Sequence, residues 1–161
     1  MAAIPSLANA DEVADVSRLI KAGQAAEAMR QADAFLARNP RDPRMRFLKG
    51  VMLMEQKQPA EAQAVFEKMT QDYPELAEPY NNLAVLYAAQ GDYARARIAL
   101  EMVVRTNPGY ALAYENLGDV HLKLASQAYA NAQRLDPSNP ALQPKLVAIK
   151  ELLGPVPSPT Q

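Results

Sequence analysis

Hydrophobic residues recur along this chain with the three-to-four-residue spacing of amphipathic helices, in segments separated by Gly, Asn, Asp or Pro. The pattern predicts a first helix at about 11–22, capped by Asn9 or Asp11, and a second helix at about 25–38. A third helix is predicted at about 44–55, and Pro59 stands at the first position of the next one. The chain is therefore predicted to be built from consecutive helices.

The same residue types return every 34 positions. Three such columns are Pro40, Pro74 and Pro108; Ala28, Ala62 and Ala96; and Gly50, Ala84 and Gly118. Small residues suit positions where two helices cross closely, and each proline ends the second helix of a pair. Self-similarity at such a period is typical of a helical solenoid.

The clearest unit is Ala77–Tyr110, AEPYNNLAVLYAAQGDYARARIALEMVVRTNPGY. Its aromatic, Leu, Gly and Pro positions resemble the tetratricopeptide repeat. The resemblance covers about residues 9–137 and implies an all-α, right-handed α-solenoid of antiparallel helix pairs. Three full units are expected at 9–42, 43–76 and 77–110, inside a solenoid over 10–137.

The fourth unit, 111–137, departs from this pattern. Ala96 comes nine positions after Tyr87, whereas Ala125 comes four positions after the matching His121, so the five residues of the turn are missing. We hypothesise that Leu112–Leu135 is one helix of about 24 residues, roughly 36 Å long. The alternative is a tight turn at 123–126 between two shortened helices.

The two ends of the chain differ from the repeats. Residues 1–9 are expected to be a disordered leader, and Ala8-Asn9-Ala10 resembles a signal cleavage site, which suggests a periplasmic or secreted protein; otherwise the chain is cytoplasmic. Residues 138–154 are predicted to form a C-terminal capping helix that ends at Gly154. Residues 155–161 are a Pro-rich tail that is expected to be disordered.

Composition limits the chemistry. The net charge of −1 gives no broad case for binding nucleic acid, and no apolar run is long enough to span a membrane. There is no Cys, and the single His121 lies in a column that is predicted to be core. The pair Glu115 and Asp119 has no third ligand for a metal. We therefore predict that the chain is not an enzyme and needs neither cofactor nor metal.

The resemblance implies that the first helices of successive units line a groove for a protein or peptide partner. The groove positions expected to bind it are Val13, Ser17, Arg44, Phe47, Val51, Met54, Asn81, Asn82, Val85 and Glu115. Family members that hold a peptide's terminal carboxylate use a Lys/Asn/Arg clamp. That clamp is absent here, so the expected function is an adaptor with an apolar groove. Alternatively, the chain's own N-terminal helix covers the middle of this groove.

The alternative function is self-assembly. If the fourth unit is one helix, its distal half cannot fold back on its own first half and needs a partner, either the C-terminal helix or a second protomer. The residues expected to make this contact are Leu124, Ala128, Tyr129 and Leu135. Exposing each large one would forgo roughly 1.5–3 kcal/mol. A twofold homodimer is the expected arrangement.

Overall fold

A computed structural model describes residues 7–154, which form eight α-helices and contain no β-strand. The helices are α1 Leu7–Lys21, α2 Ala25–Arg38, α3 Pro43–Glu55, α4 Pro59–Asp72, α5 Ala77–Ala89, α6 Tyr93–Thr106, α7 Ala111–Leu135 and α8 Leu142–Leu152. The predicted all-α helical-repeat class is confirmed. The chain divides into two compact units, Met1–Leu83 and Ala84–Gln161, with the boundary inside α5.

The first unit is held by a core that α1, α2 and α3 share. Val16 of α1, Phe35 of α2 and Met45 of α3 are almost completely buried there, together with Ala28 and Ala32. Small residues on α2 allow the neighbouring helices to approach closely. Outside this core, Arg38 of α2 donates to the Glu12 carboxylate of α1 at 2.7 Å.

The pair α3 and α4 shows why the repeat needs its small column. A Cβ atom at Gly50 would lie 2.6 Å from two ring atoms of Phe66, which is fully buried. Such a distance is far inside van der Waals contact, so only glycine lets Phe66 pack across α3. The 34-residue pattern of small residues therefore corresponds here to a direct helix–helix contact.

In the second unit α7 packs against α6, and α8 packs against α7. Ala96, Ala99, Leu100 and Val103 are the buried side of α6. Ala113 and Val120 are the buried residues of α7, and Leu142 and Ile149 those of α8. The C-terminal helix thus covers α7, as expected for the last helix of a solenoid.

The helix boundaries confirm one hypothesis and correct another prediction. Helix α7 runs without interruption from Ala111 to Leu135, 25 residues, so the fourth unit is a single helix rather than two short ones. Helix α1 begins at Leu7, so Asn9 and Asp11 are inside it and are not caps. Residues 7–9 of the expected disordered leader are helical because an Ala-rich segment favours helix. The rest of that leader and the tail 155–161 lie outside the described residues.

His121 was predicted to be a core residue, and this is wrong. Its side chain is exposed on α7, and Gly118 one turn earlier has no heavy atom within 4 Å of where its Cβ would lie. At the matching position of the second repeat, Leu53 is buried because α4 packs on α3. Since the fourth repeat is one continuous helix, it has no second helix that folds back over these positions.

Candidate functional site

The first unit contains an apolar cavity of about 380 Å³, which we call the anchor cavity. Helices α1 and α3, the end of α4 and the start of α5 form its walls. The lining residues are Val13, Ser17, Pro43, Arg44, Phe47, Leu48, Met69, Leu76, Glu78 and Pro79. A small opening of this kind, mostly apolar with few polar groups, is the usual form of a binding pocket.

The N-terminus of α3 places Arg44 at the cavity. Asp42 caps this helix by accepting hydrogen bonds from the backbone N–H groups of Arg44 and Met45, both at 3.0 Å, and Pro43 occupies the first turn. The Arg44 guanidinium also pairs with the Asp42 carboxylate at 2.9 Å. The positive charge of Arg44 is thus already balanced by the residue that caps its helix.

The pKa of Asp42 reflects these contacts. Partial burial raises it, but the hydrogen bond from the Arg44 side chain and those from the N–H groups of Met45 and Arg44 outweigh burial. The pKa therefore lies below its ordinary value, and Asp42 stays ionised while it caps α3.

Phe47 forms a rigid side of the cavity. Its ring centroid lies 5.8 Å from that of Phe66, with the two rings tilted by 56°. This geometry is favourable for aromatic pairs and restricts the Phe47 ring. Because Phe66 is itself locked over Gly50, the repeat core determines where Phe47 faces the cavity.

The polar atoms at the cavity are few and mostly satisfied. The Ser17 hydroxyl donates to the backbone carbonyl of Val13 at 2.9 Å, so its single donor is already used. Glu78 is exposed and makes no ion pair within residues 7–154. The cavity therefore presents apolar walls and one uncompensated negative charge.

The structure brings together four of the ten predicted groove residues. Val13, Ser17, Arg44 and Phe47 line the anchor cavity, whereas the half-buried residues Val51, Met54, Asn81 and Asn82 of the first unit do not. The Asn82 side-chain amide donates to the Glu78 carbonyl of its own helix at 3.1 Å. In the second unit Val85 lines a smaller cavity of about 200 Å³ beside Asp119, and Glu115 is exposed.

Sequence reasoning missed the far wall of the cavity. Met69 lies in the last turn of α4, Leu76 lies in the loop before α5, and Pro79 is buried in the first turn of α5. The predicted groove positions all lie on the first helices of the repeats, so a wall that comes from a second helix and a loop has no counterpart among them. The sequence contained one indication of this wall: Leu76 is an apolar residue two positions after Pro74, in a segment predicted to be a loop between helices.

The four residues expected to mediate self-association do not form one exposed stripe. Tyr129 is half-buried, and the Lys145 ammonium of α8 lies 4.9 Å from its ring centroid. Leu124 is half-buried as well, while Ala128 is exposed and Leu135 is 78% exposed. Helix α8 thus supplies part of the partner surface that was expected for α7, and the end of α7 stays uncovered.

A second cluster of charge lies elsewhere in the first unit. Arg46, Lys49 and Lys68 surround a cavity of about 330 Å³. Arg46 and Lys68 both contact the Asp72 carboxylate, at 2.6 and 2.8 Å, and Lys49 contacts Asp33 at 2.6 Å. The hydrogen bonds from Lys68 and then Arg46 hold the pKa of Asp72 below its ordinary value. These cations are already paired, so the cluster stabilises the fold.

Two other kinds of feature, a metal-binding cluster and a membrane-spanning helix, do not occur in the described residues. Nowhere in 7–154 do three or more His, Asp or Glu side chains gather where they could hold a metal ion. No helix in this range is both long and apolar enough to cross a membrane.

These features define a helical-repeat protein with an apolar cavity between the helices of its first unit. Sequence profiles described as tetratricopeptide repeat match residues 16–77 and 53–119, which together cover more than half of the chain. The chain belongs to the tetratricopeptide repeat family, whose members are typically protein-interaction modules.

Relatives and solved structures agree with this assignment. The chain is 33% identical over 94 residues to the chloroplastic tetratricopeptide repeat domain-containing protein PYG7 of Arabidopsis thaliana. That match covers 55% of this chain and 31% of the relative, so the chain spans about a third of that protein. In fold it is similar to the first such domain of Spaghetti (RPAP3), solved with a bound HSP90 peptide SRMEEVD, and to MamA. The match to the Spaghetti domain has a TM-score of 0.69 at 16% identity and covers 76% of this chain and 97% of that chain. The match to MamA has a TM-score of 0.65 at 20% identity and covers 89% of this chain and 81% of that chain.

Proposed function

We propose that this chain is a protein-interaction module whose anchor cavity takes a large apolar side chain of a partner segment. The observation that carries the proposal is the cavity itself, because its walls are apolar and its Arg44 and Ser17 polar groups are bonded internally. Binding of a partner's hydrophobic anchor in such a pocket is the usual source of affinity at protein interfaces.

The charges at the cavity favour a basic neighbour beside this anchor. Arg44 is neutralised by Asp42, whereas Glu78 has no ion pair in the described part of the chain. A Lys or Arg next to the apolar anchor would complement Glu78 and add specificity and association rate. The family's carboxylate clamp is missing, so an acidic C-terminal tail is not the expected ligand.

The test is selection of peptides from a random display library, followed by anisotropy titration of a labelled, selected peptide. We expect peptides with an aromatic or large aliphatic residue beside Lys or Arg. Ser17→Phe, which fills the cavity, should weaken their binding at least about tenfold, which corresponds to about 1.4 kcal/mol. Met54→Glu on the same helix as Phe47 is the matched control, because Met54 does not line the cavity. Peptides that bind Ser17→Phe as tightly as the wild type would refute the proposal.

Self-assembly is a second candidate function, and exposed apolar side chains of the second unit favour it. Leu135 at the end of α7 and Leu152 at the end of α8 are 78% and 71% exposed. Light scattering after gel filtration, over a wide concentration range, would test it: self-assembly requires a mass near twice 17.6 kDa.

A further inference from the structure

The start of α7 presents a face that the other repeats cover. Gly50 and Gly118 occupy the same repeat position, yet Gly50 touches Phe66 and Gly118 touches nothing within 4 Å. Tyr114 and His121, four before and three after Gly118, are on the same side of the helix and are exposed. We call Tyr114, Gly118 and His121 the open face of α7. In the α3–α4 pair the second helix packs on the matching side of the first helix, where Phe66 lies against Gly50.

The chain's own repeats show what such a face accepts. In α4, Ala62 is followed four residues later by Phe66, and in α6, Ala96 is followed four residues later by Leu100. All four are buried, and the large residue of α4 lies across the glycine. The matching occupant of the open face is therefore a helix with a small residue and, one turn later, a large apolar residue.

Helix α8 contains a pair of the same kind that is not buried within its own chain. Ala148 and Leu152 are four residues apart, and both are exposed. They lie on one flank of α8, beside the side that Ile149 buries.

The two segments also have opposite charge. Residues 111–121 carry Glu115 and Asp119 and no Lys or Arg, a formal charge of −2, and neither carboxylate makes an ion pair in the described chain. Helix α8 carries Lys145, Lys150 and Glu151, and of these Lys145 and Glu151 lie beside the flank, whereas Lys150 lies on the opposite side of the helix. Glu115, three residues before Gly118, and Lys145, three residues before Ala148, thus lie next to the two surfaces, and their opposite charges favour an encounter between two molecules.

We propose that the open face of α7 binds the Ala148–Leu152 flank of α8 from a second copy of this chain, with Leu152 across Gly118. Each copy offers both surfaces, so a twofold pair makes the contact twice. This inference rests on the self-assembly function proposed above and gives it an interface. It differs from the stripe of Leu124, Ala128, Tyr129 and Leu135 that the sequence suggested.

The first test combines solution mass with two substitutions that the isolated fold tolerates. Gly118→Gln meets open space and replaces a helical glycine, so the helical circular-dichroism signal should persist. Leu152→Gln changes a side chain that is 71% exposed. Each should raise the dimer dissociation constant at least about tenfold. Val147→Gln, also exposed on α8 but off the Ala148–Leu152 flank, is the matched control and should leave it unchanged.

The second test uses the absence of cysteine from the sequence. Gly118→Cys and Leu152→Cys chains of different tagged mass, mixed and oxidised, should form a disulfide-linked heterodimer. Ala130→Cys mixed with Leu152→Cys is the control pair and should not. A dimer that resists both glutamine variants and gives no specific crosslink would overturn this interface while leaving self-assembly intact. A mass of 17.6 kDa up to about 1 mM chain would overturn both.

Discussion

At the scale of single residues, three aspartates stabilise the fold as charged groups. Asp42 caps α3, and Asp92 caps α6 by accepting from the Arg95 N–H at 3.0 Å, while Asp72 joins Arg46 and Lys68. The backbone N–H and then the side chain of Arg95 hold the pKa of Asp92 below its ordinary value. The pKa values of Asp42 and Asp72 are lowered as well. All three therefore link folding to pH in the same direction.

The free energy of unfolding should decrease at acid pH. A carboxylate whose folded pKa lies below its unfolded value stabilises the fold at any pH above the unfolded value, about 3.9. That stability disappears as the pH falls through the folded pKa. Urea titrations at pH 7 and pH 3, followed by circular dichroism, should show the loss.

Asp42→Asn separates the charge of this cap from its hydrogen bonds. Asparagine is also a good N-cap, so the variant should keep most of the stability at pH 7, whereas Asp42→Ala should lose about 1 kcal/mol. The difference between pH 7 and pH 3 should become smaller in Asp42→Asn. An unchanged difference would show that Asp42 does not contribute to the acid loss.

Alanine substitutions at Gly50 and Gly118, which occupy the same repeat position, should change the free energy of unfolding in opposite directions. Gly50→Ala forces a methyl group against the buried Phe66 ring and should destabilise the chain by about 1–3 kcal/mol. Gly118→Ala meets no atom and improves helix propensity, so it should stabilise α7 by about 0.5–1 kcal/mol. Urea unfolding of both variants measures this. Equal effects would mean that the two positions have the same environment.

At the scale of helices, the number of residues between two repeat positions predicted the structure correctly where only the length of a segment matters. The five missing residues leave no room for a turn, and α7 is indeed one helix. The start of α1 could not be obtained this way, because Asn9 and Asp11 are good caps as well as tolerable helix residues, and the upstream helix continues through them. The exposure of His121 also depends on which helix fails to pack on it, which no single position encodes.

The docking of α8 on α7 should depend on its buried side alone. Ile149→Ala removes a buried side chain and should cost about 2–4 kcal/mol, seen as faster hydrogen exchange of the α8 amides. Val147→Ala, on an exposed position of the same helix, should change stability by less than about 0.5 kcal/mol. If Ile149→Ala left exchange in α8 unchanged, α8 would not be held by this contact.

At the scale of the whole chain, the family and its repeat positions were predictable, but the cavity was not. Residues of the same type 34 positions apart indicate which helices pack together, because the same helix–helix contact recurs in each repeat. The anchor cavity depends instead on irregular parts, the Asp42 cap, the loop with Leu76 and the buried Pro79. Such elements do not follow the 34-residue period, so the repeat pattern predicts groove positions, Val51 and Met54 among them, that lie outside the cavity.

The chain should not bind the peptide SRMEEVD, although a protein of similar fold was solved with it. Three acidic side chains and a terminal carboxylate would meet Glu78 and an Arg44 already paired with Asp42. Removing those carboxylates from water without new partners is unfavourable. We expect a dissociation constant weaker than about 1 mM by fluorescence anisotropy, with a display-selected peptide as the control for active protein. Saturable binding that is lost when the terminal carboxylate is amidated would reveal a clamp made from other residues and would redirect the search for the partner to acidic tails.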